Sequence, residues 1–291
     1  MIEQRKRFPT ATNRLKQICA FAVLLSVAAL PCAYSQTGAE VMNKMMSAYK
    51  GLNSYQGNAN GDQIYTLTTS EKPIAQVGTT VAMSYKKPNL LKLDFFTSKG
   101  SRSIFCDGTT ITTYDPSGLQ YIKFPSGSTM KEVAVNLQKV GVKALFDPLF
   151  FLSGDPLPKN LGKFTLKPNV KLNGVPIYLV VADLSTPPHE VKSPQGKKVM
   201  LPTTTAHFSW WIDKSNYLLS KMEMKIPNIP QNVSEKVKKK VVTRLTYTNM
   251  IIRTAISNVK ANPPKDAKEF VFIPPKDAKE RKTADQMLGG K

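Results

Sequence analysis

The chain has 291 residues and a formal net charge of +21, with three cysteines and two histidines. That length supplies one large domain with a substantial core, and the charge favours anionic partners such as acidic lipid headgroups or a membrane surface. No zinc-finger, helix-turn-helix or RNA-binding signature is present, which excludes nucleic acid as the expected target.

Residues 1–35 read as an export leader. Arg5, Lys6, Arg7, Arg14 and Lys16 precede an uncharged apolar run, Ile18–Leu30. Ala33-Tyr34-Ser35 then sets small residues where a signal peptidase cuts, before Gln36. The run falls short of the ~20 residues that a membrane-spanning helix needs, which speaks against the alternative of an anchor. A lipoprotein reading through Cys32 is opposed by Pro31 directly before it. The leader holds five basic residues against Glu3, so about +17 of the +21 stays with the remainder. Cys19 and Cys32 leave with it, and Cys106 is expected as a small buried strand residue without a disulfide or metal partner. No cofactor or metal is expected, and the predicted location is the periplasm.

Residues 38–52 form the first predicted helix, with Val41, Met45, Ala48, Tyr49 and Leu52 on one face and Gly51 near its end. Met42, Met45 and Met46 suit either ordinary core packing or an adaptable apolar ligand. Strands follow. Gly57–Thr69 is rich in Thr, Tyr and Ile; Val77, Thr79, Val81, Met83 and Tyr85 alternate with small or polar residues; Leu91, Leu93 and Phe95 alternate with Lys92 and Asp94. Ser103–Phe124 is three short strands joined by turns at Asp107-Gly108 and Asp115–Gly118. Thr129–Val142 is helical, with Thr129 as N-cap and Glu132 as its capping-box partner. Asp147, Pro148 and Gly154 bracket a short helix whose Leu149, Phe150, Phe151 and Leu152 are apolar all round. Five strands complete a count of eleven: Lys163–Lys167, Val175–Leu184, Thr204–Ile212, Tyr217–Ile226 and Val241–Ile252. Pro187–Pro202 and the basic Pro227–Lys239 read as exposed loops. From Asn258 the chain is polar and Pro-rich, with Phe270, Phe272 and Ile273 expected to pin an extended tail. The domain reading is a leader at 1–35, one domain at 36–260 and a tail at 261–291.

The Ser103–Phe124 pattern resembles the LolA-like family of periplasmic carriers of lipoproteins and other lipids. Further matches follow in chain order: Asp147–Asp155 is similar to the family's lid segment, Leu172–Leu179 to a strand, Trp211-Ile212-Asp213 to a strand end and Phe270–Pro275 to the closing motif. The resemblance implies a mainly β fold, an antiparallel incomplete barrel of about eleven strands with a lid of about three short helices over an apolar cavity. It is closest to uncharacterised periplasmic members of that superfamily. The function it implies is non-covalent binding of a lipid, or of the acyl chains of a lipoprotein, without catalysis.

The expected pocket lining is Met45, Tyr65, Val81, Met83, Leu93, Phe95, Phe150 and Leu152, with Arg102 as headgroup contact. The same side chains equally suit a filled core. Expected partners are lipid or lipoprotein acyl chains, with an anionic membrane surface or an envelope protein as further candidates. A second reading uses the same fold as an envelope sensor or interaction subunit. A third, a hydrolase, has only His189, His207 and turn aspartates such as Asp107 and Asp213 to build on. No Gly-x-Ser-x-Gly elbow, His-Glu-x-x-His or P-loop is present.

Overall fold

Period-two alternation dominates the chain, and in the computed structural model it becomes strand after strand. The structure describes residues 36–69, 72–98, 100–142, 147–192, 198–237 and 240–282. The expected leader, residues 1–35, lies outside the described residues, as do Lys238 and Lys239 and residues 283–291.

Helix α1 (Gly38–Gly51) leads into a meander of β1 (Ser54–Leu67), β2 (Pro73–Lys86), β3 (Leu90–Thr97), β4 (Gly100–Cys106), β5 (Thr110–Asp115) and β6 (Gln120–Pro125). Helices α2 (Met130–Gln138) and α3 (Pro148–Ser153) follow. Then come β7 (Thr165–Lys167), β8 (Lys171–Leu172), β9 (Val175–Thr186), a small separate hairpin of β10 (His189–Lys192) and β11 (Lys198–Leu201), and β12 (Thr204–Asp213). The long hairpin of β13 (Leu219–Val237) and β14 (Lys240–Ala261) completes the body, and a two-residue β15 (Lys279–Glu280) lies in the tail.

One sheet of 13 strands takes all but β10 and β11, in the order β15-β6-β5-β4-β3-β2-β1-β14-β13-β12-β9-β7, with β8 on β9. It does not close, so the architecture is an incomplete barrel with a short helical lid. Every strand pair is antiparallel except β15 on β6. The additions to the eleven expected strands are very short (β8, β15) or lie within the expected 187–202 loop (β10, β11). Two loop expectations need correction. Pro187–Pro202 contains a hairpin, and Pro227–Lys239 belongs largely to β13, which pairs with β14 as far as Val237 and Lys240. A bulge between Ile226 and Ile229 absorbs Asn228 at positive φ, after which Pro230 is accommodated because this stretch pairs on one side only.

The turns and caps follow from side chains. The Asp107 carboxylate accepts the amides of Thr109 and Thr110, and that of Asp115 accepts Ser117. Thr37–Glu40 and Thr129–Glu132 form complete capping boxes on α1 and α2. Asp147 caps α3, and Gly154 ends it at a φ of 71°, a region that favours glycine. Asn136 of α2 donates to the carbonyls of Pro125 and Ser126, which fixes that helix at the end of β6.

The core lies between the helices and one face of the sheet. Val41, Met42, Met45 and Tyr49 of α1, Val133 and Leu137 of α2, and Leu149 and Phe151 of α3 pack with Leu91, Ile104, Cys106, Phe208, Trp210 and Met222. Cys106 is buried and burial pushes its thiol pKa up, as expected of an inert core thiol. The tail is tied down by Phe270, which is fully buried, and by Phe272, whose ring lies 5.2–5.4 Å from those of Phe105, Tyr114 and Tyr121 on the opposite sheet face. Ile273 does not join them; it is 82% exposed.

Candidate functional site

Side chains of β2 that share the helix-covered face are Ala75, Val77, Thr79, Val81, Met83 and Tyr85, and their burial changes steadily along the strand. Val77 is 45% exposed, Thr79 and Val81 are less so, and Tyr85 is 3% exposed. The strand register carries the same gradient across the sheet. On β3, Leu91 and Leu93 are buried, Phe95 is half-buried and Thr97 is exposed. On β1, Tyr55 and Gly57 are buried, while Ala59, Gly61, Gln63 and Tyr65 are partly exposed. The helices therefore cover one end of this face and leave the other open. Gly57 belongs to the covered end, where a Cβ would lie 2.6 Å from the Tyr55 hydroxyl.

The open stretch is apolar with a few polar contacts. Val81 pairs with Phe95, and Phe95 pairs with Arg102, in one cross-strand row. The guanidinium of Arg102 lies 5.5 Å from the Phe95 ring centroid, and its Nη1 donates to the Val140 carbonyl at 3.1 Å, joining β4 to the segment after α2. Burial lowers the Arg102 pKa, and the charge of Asp115 opposes that shift. Farther along β1, Tyr65 pairs with Met250 of β14. There the Gln63 amide donates to the Tyr65 hydroxyl and reaches the Met250 sulfur at 3.0 Å. Ile226, Ile252 and Ile256 continue this face and are partly buried against the core.

The residues expected as lining divide accordingly. Met45, Met83, Leu93 and Leu152 are buried in the main hydrophobic cluster, and Val81, Phe95 and Phe150 are half-buried at its margin. Tyr65 stands apart, toward the rim where β1 and β2 join. Residues missed on the sequence are Met250, Ile252 and Ile226; the alternation of Thr248-Asn249-Met250-Ile251-Ile252 carries the signal. Val77 lies on a face that the sequence identifies. Trp210 is fully buried and stacks on Phe208 at 5.3 Å, while Lys221 lies 4.5 Å over the Trp211 ring on the other sheet face.

Of the candidates for other chemistry, Asp107 and Asp213 lie in turns and His207 on the outer face. Asp213 holds its turn through Ser215, and His207 meets Asp183 across two strands at 2.7 Å, exposed on the outer face. Among the described residues no group of three or more His, Cys, Asp or Glu side chains could hold a metal ion. A polar cleft of about 630 Å³ lies away from the concave face, between the β5–β6 turn and the tail, lined by Leu119, Gln120, Lys276 and Arg281. No described helix is long and apolar enough to cross a membrane.

The segment from α1 to just past α3 is the part with a family counterpart. Residues 38–155 match the family described as "Predicted periplasmic protein (DUF2092)". None of the curated proteins matches. Solved structures similar to the chain include an uncharacterised conserved protein from Thermus thermophilus, at 11% identity and a TM-score of 0.41, covering 85% of this chain and 99% of that one. A LolA superfamily protein from Nitrosomonas europaea is similar at 12% identity and a TM-score of 0.30, covering 82% and 99%. A DUF1329 family protein from Desulfovibrio piger matches at 9% identity and a TM-score of 0.27, covering 81% and 98%. With identities near one in ten and low TM-scores, nothing about function is taken from them.

Proposed function

We propose that this chain is a periplasmic binding protein that holds the acyl chains of a lipid, or of a lipid-modified protein, without covalent chemistry. One observation carries the reading: the apolar face of the half-barrel is covered by helices at one end only. Val81, Phe95, Ile256, Ile252, Met250 and Ile226 of the uncovered stretch pack against the core, and Gly61, Gln63 and Thr79 lie among them on the way to Tyr65. An acyl chain laid along it would gain about 0.8 kcal/mol per buried methylene. Arg102, at the margin of this stretch, supplies a cation for a headgroup or carboxylate. The family description of residues 38–155 supports the periplasmic location.

The test is native mass spectrometry of the protein recovered from the periplasm of an expressing bacterium, followed by organic extraction. Co-purifying acylated species are expected. Val77→Asp, at an exposed position of the same face, should lower their occupancy about tenfold by placing a charge against the chain. A wild-type protein of clean apo mass that also fails to take up added fatty acid would sink the reading.

A further inference from the structure

The strand directions bring five connections to one rim: those joining β1 to β2, β3 to β4, β5 to β6, β9 to β12 and β13 to β14. Two of them project. Beyond Thr248, where its pairing with β1 ends, β14 pairs only with β13 as far as Lys240. That ribbon extends roughly 25 Å past the sheet at ~3.4 Å per residue. The β10–β11 hairpin lies in the β9–β12 connection at the same rim.

Apolar residues that a lone soluble protein would keep covered gather at this rim. Phe96 is 53% exposed and Met200 64%, and Ile74, Leu119 and Tyr247 are also exposed. At the opposite rim the turns at 87–89, 107–109 and 214–218 bear no exposed large apolar side chain, and Val175 at the start of β9 is exposed there.

The connections at this rim are basic in sequence. The ribbon carries Lys236, Lys240 and Arg244 against Glu235, and the small hairpin carries Lys192 and Lys198 against Glu190. Lys276 of the tail adjoins Leu119 across the polar cleft.

We infer that this rim, led by the β13–β14 ribbon, docks the protein on an anionic lipid bilayer. Basic residues near a surface with apolar side chains entering the interface is the combination that peripheral membrane binding requires. A purely solubilising charge would leave no reason for Phe96, Leu119 and Met200 to share the rim. The inference goes beyond the proposed cargo binding and stands without it, since it concerns the rim and not the concave face.

The test is co-sedimentation of the periplasmically recovered protein with vesicles of phosphatidylcholine alone or with one-third phosphatidylglycerol. Binding to the anionic vesicles only, weakening with salt, is expected. Each basic residue contributes about 1 kcal/mol near such a surface, so the triple variant Lys236→Gln, Lys240→Gln, Arg244→Gln should bind roughly a hundredfold more weakly. A charge-matched control at the other end, Lys50→Gln, Lys214→Gln, Lys268→Gln, should bind like the wild type. Phe96→Ser with Met200→Ser should lower binding while leaving its salt dependence in place, and circular dichroism checks that each variant is folded. Equal loss in the ribbon and control variants would reduce the effect to overall charge and overturn the inference. So would binding to native envelope membranes but not to pure lipid, which would assign the rim to a protein partner.

Discussion

Leu93 and Phe95 are two residues apart on the same strand face and have different roles. Leu93 is buried among side chains of the core, and Leu93→Ala is expected to cost about 2–5 kcal/mol of stability. Phe95 is half-buried beside Arg102, so Phe95→Ala should cost markedly less in a denaturant titration while weakening acyl uptake. If the two variants lose stability equally, Phe95 belongs to the core and the open stretch is shorter than described. The sequence places both on one face through their alternation with Lys92 and Asp94. It cannot show where the helices stop covering that face, because burial depends on the length and placement of α1, α2 and α3 and not on the strand pattern. For the same reason Met45 and Leu93, fully apolar and correctly oriented, look like pocket lining in sequence and lie in the packed core in space. Tyr65 is legible only as an aromatic in a strand; its position near the rim depends on pairing with Met250, far along the chain.

At the scale of elements, the helices are fastened by carboxylates that titrate low. Hydrogen bonds from the backbone and side chain of Ser128 and the backbone of Thr129 hold the Glu132 pKa below its ordinary 4.5, and Thr37 does the same for Glu40. Each folded-state pKa is depressed, so the capping contribution is fully present above the ordinary value of 4.5 and is lost as pH falls through the lower folded value. The helices should therefore loosen in acid before the sheet does. Far-UV circular dichroism should lose helical signal while the near-UV aromatic signal persists, and Glu132→Gln should flatten part of that acid limb. Simultaneous loss of both signals would show that the helices and sheet unfold as one unit. Thr129→Ala is expected to cost about 1 kcal/mol. These caps are legible in the sequence because a capping box is local. The β13–β14 ribbon is not, because Pro227, Asn228 and Pro230 signal a loop, and only the unpaired outer edge of the projecting strand makes them tolerable.

At the scale of the molecule, the tail is a strap on an open sheet. β15 lies along β6 at one end of the strand order, and Phe272 fills the space between Phe105, Tyr114 and Tyr121. A chain ending at Asn262 would bare the β6 edge and this aromatic patch together, the combination that invites strand-to-strand association. Light scattering behind size-exclusion chromatography should show self-association of the truncated chain; a monodisperse monomer would show that the strap is dispensable.

The pairing of β1 with β14 has a consequence in time. β1 to β6 form one arc through neighbouring strands, and β9, β12, β13 and β14 form another, but the two meet where Tyr55 faces Ala261. The segment with a family counterpart, residues 38–155, contains the first arc and its helices but not the strand that completes it. A chain emerging from its N-terminus must keep β1 without one neighbour until almost its last strand arrives. Closing so long a loop is slow relative to local meander formation. Pulse-labelled hydrogen exchange during refolding should protect β2 to β5 before β1 and β14, and the middle of the finished sheet would be the last part of it to form.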